Sequence, residues 1–336
     1  MLGAPVSDVI LRGAAVPADA VETRTVVYQE ARPILTTAKT EKLTIQDVID
    51  GKATVEELTA QLTVEELADL CVGTLRSGMG GDSEGKDNVV GNASATVPGA
   101  AGDTSSIIWE SRGVKNLILA DGPAGLRLQP LFKTTKEGEL LPGGEGIGDI
   151  IAPFDESKIP ADAVDHYQYC TAIPIGTELA QTWNPELIRQ MGRVIAIEAS
   201  AQGAHIGYGP VLDLARDPRW SRVEETYGED PYLNGAMGTA LVRGFQGETL
   251  NDGKSVIATL KHFASYGWTE GGHNGGTAHI GERELEEAIF PPFREAVGAG
   301  ALSVMSSYNE IDGNPCTGSR YLLTDILKDR WQFKGF

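Results

Sequence analysis

Six residues of this chain, Asp121, Arg222, Lys261, His262, Met305 and Tyr308, stand where apolar runs give way to loops, and five of them carry polar groups. A carboxylate only accepts hydrogen bonds, a guanidinium or an ammonium only donates, and an imidazole or a phenol does either. Gathered in one pocket, the set suits a ligand with many hydroxyl groups, and an aromatic face suits the apolar side of a sugar ring, so a pyranoside is the natural candidate. Cleaving a glycosidic bond further requires two carboxylates, one as acid and one as nucleophile or base. No spacing in the chain singles out that pair. Taken singly, each charged residue also has a structural alternative: Asp121 caps a helix, Arg222 pairs with a nearby carboxylate, and Lys261 lays its stem over apolar surface.

The elements that must position these residues follow an alternating rhythm. Apolar runs at Leu117 to Ala120 and Ala172 to Ile175 precede a helix announced by Asn184 as cap and Pro185 in its first turn. A strand near His205 to Leu212 follows, then a helix from Asp230-Pro231 to Gly247, a strand at Val256 to Lys261, and a helix at Arg283 to Val297. A strand at Leu302 to Met305 and a helix opening at Ser319 complete the series. Strand and helix at this rhythm imply a parallel sheet, doubly wound or closed as a barrel. In a barrel the strand ends converge on one face. Upstream, Leu62 to Leu70 spaces its apolar residues for one buried helix face with Thr63 as cap. Residues 75 to 106 and 131 to 168 are rich in loop-forming residues, and loops of that length often shape a binding site.

Composition narrows the classes. The 47 acidic and 28 basic side chains give a formal net charge of -19, which repels a phosphate backbone and an anionic lipid surface. No stretch reaches the roughly 20 apolar residues of a membrane span, and the default compartment is a reducing cytoplasm. The three cysteines, Cys71, Cys170 and Cys316, read as buried structural thiols. No Gly-x-Gly-x-x-Gly turn follows a strand, and Gly253-Lys254-Ser255 fails as a phosphate loop because Glu248 stands where its first glycine is required. His262, His273 and His279 match no zinc spacing. Neither a metal nor an organic cofactor is expected.

The motifs themselves carry a resemblance. Leu119-Ala120-Asp121-Gly122-Pro123-Ala124-Gly125-Leu126-Arg127, Trp183-Asn184-Pro185, Asp217-Pro218-Arg219-Trp220-Ser221-Arg222 with Glu225 and Glu229-Asp230-Pro231, Lys261-His262-Phe263, and Met305-Ser306-Ser307-Tyr308-Asn309 occur in the order seen in glycoside hydrolase family 3. The resemblance covers roughly residues 55 to 336. It implies a TIM-like (β/α) barrel, incomplete at its C-terminal end, and a parent enzyme that is a retaining exo-acting β-glucosidase. Asp121, Arg222, Lys261 and His262 would then hydrogen-bond the nonreducing-end sugar, with Met305 and Tyr308 on the nucleophile side.

The same resemblance implies that the catalytic residues lie outside the chain. The nucleophile is an aspartate in a Ser-Asp-Trp motif expected just after Phe336. The family's hexosaminidase branch carries a histidine acid in a Pro-Gly-His-Gly loop, but Ala264-Ser265-Tyr266-Gly267 occupies that place here. A glutamate from a second α/β domain upstream of Met1 is expected instead. Residues 1 to 30 resemble the end of a fibronectin-like β-domain with strands at Ser7 to Leu11 and Val21 to Tyr28, residues 31 to 54 are a linker, and 55 to 336 form the barrel domain. Alternatives are a β-xylosidase or arabinofuranosidase of the same family, or a non-catalytic sugar-binding relic.

Overall fold

The computed structural model describes residues 34–71, 97–104, 107–144, 146–147, 150–151 and 153–336. The strands expected before residue 30, and most of the loop expected from 75 to 106, lie outside the described residues. Five strands form the central sheet in the spatial order β1 (Gly102–Asp103), β2 (Ile118–Ala120), β3 (Ile206–Gly207), β4 (Ile257–Phe263) and β5 (Ser303–Ser306). β1 runs antiparallel to β2, whereas β2 to β5 are mutually parallel, with Leu119 opposite Ile206, Ile206 opposite Ile257, and Ser303 opposite Thr259. Phe336 adds one more rung beside β5: its N–H donates to the Leu302 carbonyl at 3.2 Å and its carbonyl accepts from Val304 at 2.9 Å.

A helix connects each successive pair of parallel strands: α1 (Pro185–Ala201), α2 (Pro231–Gln246) and α3 (Phe290–Gly298). The first two begin as the sequence indicates. Asn184 Oδ1 accepts from the Leu187 N–H at 3.1 Å and Asp230 Oδ1 from the Leu233 N–H at 2.8 Å, each with proline in the first turn. α1 and α2 cross so closely that a Cβ on Gly244 would stand 2.4 Å from the Arg189 carbonyl. The helix expected over 283–297 is wound in three pieces, with a π turn at Leu285–Ile289 leading into α3, and the one expected from Ser319 is a π-helix over Tyr321–Arg330.

Packing follows from the parallel arrangement. β4 is covered on both faces, and Leu260 and Phe263 are fully buried. The Phe263 ring lies 5.0 Å from Phe293, 5.6 Å from Trp331 and 5.9 Å from Phe290. Each such burial contributes about 1.5–3 kcal/mol. β3 is much shorter than the expected strand over 205–212, because the Gly209 N–H turns back to the Gly207 carbonyl at 3.0 Å; pairing resumes only as a bridge between Val211 and Lys261. The run Ala172 to Ile175 is not a strand but leads into the helix Gly176–Ala180.

Three further expectations are corrected. Part of the stretch read as a linker is structured: helices Ile45–Ile49 and Val55–Thr59 enclose Leu43, Ala53 and Leu58, and the buried Arg112 guanidinium donates to the carbonyls of Leu43 and Gln61, at 3.0 Å each. Thr63 does cap the helix Val64–Leu70 through the Glu66 N–H at 3.1 Å, but Val64, Leu67 and Leu70 are 77%, 38% and 36% exposed, so its apolar stripe is not the expected buried face. Of the three cysteines only Cys316 is buried, its thiol directed at the Ala264 carbonyl at 3.4 Å; Cys71 is exposed and Cys170 half-buried. Within 131–168, Leu131–Thr134 pairs antiparallel with Val164–Tyr167, giving that loop a ladder of its own.

Candidate functional site

The C-terminal ends of the parallel strands bring the candidate residues together. Asp121 follows β2 directly, Lys261 and His262 lie in the last turn of β4, and Tyr308 follows β5 by two residues. Asp121 is held by two cations, with Lys261 Nζ at 2.9 Å from Oδ1 and Arg127 Nη2 at 3.1 Å from Oδ2. A backbone bridge between Asp121 and Arg127 closes the turn that makes the second contact possible. Gly122 inside that turn has φ +144, and a Cβ there would lie 1.6 Å from the Gly125 carbonyl oxygen. Asp121 therefore does not cap a helix. Burial by itself would raise its pKa, but Lys261 and then Arg127 outweigh burial and hold the carboxyl well below the usual carboxylate range.

Lys261 does not snorkel. Its side chain is 2% exposed, and its ammonium lies 5.9 Å from the centre of the Tyr208 ring as well as against Asp121. Burial, followed by the charge of Asp121, pushes the Tyr208 phenol up to about 12, which keeps it a neutral hydrogen-bonding group. Next along the strand, His262 is buried, and its Nδ1 lies 2.7 Å from Asp213 Oδ2, an oxygen that also accepts from the His262 backbone N–H at 3.2 Å. His262 Nε2 has no hydrogen-bond partner among the described residues.

An aromatic wall flanks the imidazole. Tyr266 meets His262 edge-on at 4.8 Å between ring centres, and Tyr308 lies 6.3 Å from His262 and 5.5 Å from Tyr266. Tyr266 is buried whereas Tyr308 is 67% exposed, so one is scaffold and the other presents a free face. Arg222 comes to the far side of Tyr266, its guanidinium carbon 5.5 Å from the ring centre. The alternative weighed for Arg222 does hold. Its Nε and Nη2 grip Glu225 bidentately at 2.6 and 2.7 Å. Burial works against that charge, but Glu225 raises the Arg222 pKa further above its ordinary value. Met305 is half-buried on β5, at the bulge where pairing with β4 shifts register between Val304 and Ser306; bulges re-aim side chains in this way.

Sequence reasoning missed Asp213, Tyr208, Tyr266, Glu225 and Arg127 as members of this constellation. A signal existed for Asp213, a lone carboxylate within the apolar run Val211 to Leu214, because a charge buried there needs a partner. Among the described residues no group of three or more histidine, cysteine, aspartate or glutamate side chains is gathered as a metal site. The arrangement offers one fixed anion, a buried ammonium, an imidazole nitrogen without a hydrogen-bond partner among the described residues, and a phenol face. Such a set of groups can donate to and accept from hydroxyls.

A parallel α/β sheet carrying its polar cluster at the strand C-termini is shared by doubly wound sheets and TIM-like barrels, whose sites occupy that face. The model of the glycosyl hydrolase family 3 N-terminal domain matches residues 163–336, and the chain belongs to this family. That domain is a TIM-like barrel, and the four parallel strands here supply half of an eight-stranded ring. A periplasmic β-glucosidase of Salmonella typhimurium is 40% identical over 221 residues, 65% of this chain and 28% of that protein. A β-xylosidase of Formosa agariphila is 46% identical over 177 residues, 52% of this chain and 24% of that protein. The solved structure of β-glucosidase 3B from Thermotoga neapolitana in complex with glycerol matches with a TM-score of 0.62 at 32% identity, covering 82% of this chain and 32% of that one. The chain thus spans about a quarter of the length of the curated relatives it matches, between 24% and 28%.

Proposed function

We propose that this chain is the sugar-binding barrel portion of a retaining, exo-acting β-glucosidase that removes terminal β-D-glucosyl residues. The observation that carries the reading is the Asp121 carboxylate, fixed between Lys261 at 2.9 Å and Arg127 at 3.1 Å, with His262 next to Lys261 on the same strand. An ionised carboxylate accepts from two vicinal hydroxyls at once, and a buried charge left unanswered by a deoxy or epimeric sugar makes the selection sharp. Arg222 and Lys261 donate to further hydroxyls, and Tyr308 offers its face to the ring. A nucleophilic aspartate just beyond Phe336 would attack the anomeric carbon. A glutamate of the preceding α/β domain would protonate the departing oxygen, and water, deprotonated by that glutamate, would then cleave the glycosyl ester. The rung that Phe336 adds to β5 supports the first placement, since the next strand would run on from there in parallel.

A β-xylosidase is the second reading, favoured by the 46% identity to the Formosa agariphila protein over 177 residues. The two sugars differ by the exocyclic hydroxymethyl group. Steady-state hydrolysis of aryl β-D-glucoside against aryl β-D-xyloside by the full-length protein separates them: a higher kcat/KM on the glucoside is expected, and a preference for the xyloside replaces the first reading with the second. The 336-residue chain alone is expected to bind D-glucose without turning over either substrate. Turnover by that chain would show that its own carboxylates suffice.

A further inference from the structure

Asp213 takes no part in the sugar contacts set out above, yet it is the most completely buried charge in the site, with a side chain that is 0% exposed. It lies in the apolar run that follows β3, and its own carbonyl is fixed by Asn234 Nδ2 at 3.0 Å, a side chain of α2. One of its oxygens, Oδ2, accepts twice from the same residue: from His262 Nδ1 at 2.7 Å and from the His262 backbone N–H at 3.2 Å. The other oxygen, Oδ1, is buried without a hydrogen-bond partner. Asp213 and Ser265, whose hydroxyl is likewise unpartnered, line one narrow void together with Tyr266. Burying a carboxylate and leaving half of it unanswered costs free energy, so the half that is answered has to count.

A carboxylate oxygen has lone pairs and no proton, so a short contact from His262 Nδ1 assigns the ring proton to Nδ1. The backbone N–H on the same oxygen prevents the carboxylate from turning away, and the Tyr266 ring packs at 75° to the imidazole with 4.8 Å between ring centres. We infer that Asp213 is a positioning residue: it fixes His262 in the Nδ1-protonated form and turns a bare Nε2 toward the sugar. His262 Nε2 then accepts a hydroxyl proton beside Lys261, which only donates. Adjacent positions of one strand therefore read opposite hydrogen-bond senses, and a sugar whose hydroxyls at that edge cannot both donate and accept loses one contact. Outer partners of this kind on a ligating histidine typically matter by about 10–100-fold in affinity in metal sites, where the orientation problem is the same.

The inference rests on the sugar-site reading for its consequence but not for its geometry, and the test separates the two. Long-range proton–nitrogen correlation spectra of the imidazoles, with His262 assigned by its loss in His262→Gln, are recorded on the full chain. They should show one tautomer for His262, protonated at Nδ1 and bare at Nε2. Asp213→Ala should give a mixture of tautomers and weaken D-glucose binding by about 10–100-fold. Asp213→Asn should restore both the tautomer and most of the affinity, because its carbonyl oxygen replaces Oδ2 and the backbone N–H excludes the amide nitrogen from that place. Protonation at Nε2 in the parent protein overturns the inference, as does a folded Asp213→Ala that keeps the pure Nδ1 form. Should Asp213→Ala fail to fold, the parent spectrum decides: Nδ1 protonation with a bare Nε2 supports the inference, and Nε2 protonation overturns it. A parent protein with the expected tautomer and no affinity for D-glucose sinks the sugar-site reading and leaves the positioning role standing.

Discussion

Replacing Lys261 by methionine removes the charge and keeps the apolar stem, so its effect isolates the ion pair with Asp121. The pair is 2.9 Å long, with the lysine side chain 2% exposed and the aspartate 24% exposed. Breaking a buried pair by deleting one partner costs about 3–5 kcal/mol, most of it for the charge left behind. Asp121 keeps Arg127 at 3.1 Å and some contact with water, which places the expected loss below that range, at about 2–3 kcal/mol at neutral pH. The pH dependence has a definite sign. Lys261 and Arg127 hold the folded-state pKa of Asp121 below its unfolded value, so the pair contributes fully above the ordinary carboxylate pKa of about 4 and the contribution fades as pH falls below it. Urea unfolding of the parent and Lys261→Met proteins at a series of pH values reads this directly: the gap in stability should be widest at neutral pH and narrow below about pH 4. D-glucose affinity should fall with the charge. A variant within about 0.5 kcal/mol of the parent at neutral pH, with unchanged glucose affinity, would refute the reasoning.

Three further outcomes follow from the same geometry. Gly122→Ala sets a Cβ 1.6 Å from the Gly125 carbonyl at a φ of +144, so the Asp121–Arg127 turn must open; a loss of at least about 2 kcal/mol in thermal or urea unfolding is expected, together with loss of sugar binding. Arg222→Lys gives up the fork that grips Glu225 at 2.6 and 2.7 Å, and unfolding should show a loss of about 1–3 kcal/mol that Glu225→Gln partly shares. Tyr308→Ala removes a face that is 67% exposed, so stability should stay within about 0.5 kcal/mol while calorimetric affinity for D-glucose drops.

What was legible in the sequence was what local chemistry dictates. Asn184-Pro185 and Asp230-Pro231 announced α1 and α2 because a side-chain acceptor and a proline with fixed φ act within one turn. The motifs at the strand ends name Asp121, Lys261, His262 and Tyr308, which lie at the C-terminal ends of the parallel strands, and the alternative that Arg222 pairs with a nearby carboxylate is met by Glu225. Partners fixed by tertiary packing were not legible. Tyr266 entered the sequence reading only as part of a segment that lacks a histidine acid, yet it is the ring on which Arg222, His262 and Tyr308 converge. Asp213 sat unnoticed in a run that looks like core. The Val64, Leu67 and Leu70 stripe shows the opposite failure, since apolar spacing specifies a face without specifying that anything covers it. β3 ends early because the Gly209 N–H folds back onto the Gly207 carbonyl, a local turn that the apolar run around it hides in the sequence.

The central claim is that the ends of β2, β4 and β5 form one sugar site. Its most direct test is a crystal structure of the protein with D-glucose. Sugar hydroxyl oxygens are expected within hydrogen-bonding distance, about 2.7–3.2 Å, of the Asp121 carboxylate, Lys261 Nζ and His262 Nε2, with the ring beside Tyr308. Glucose bound elsewhere at saturation, with this face of the sheet empty, would contradict it.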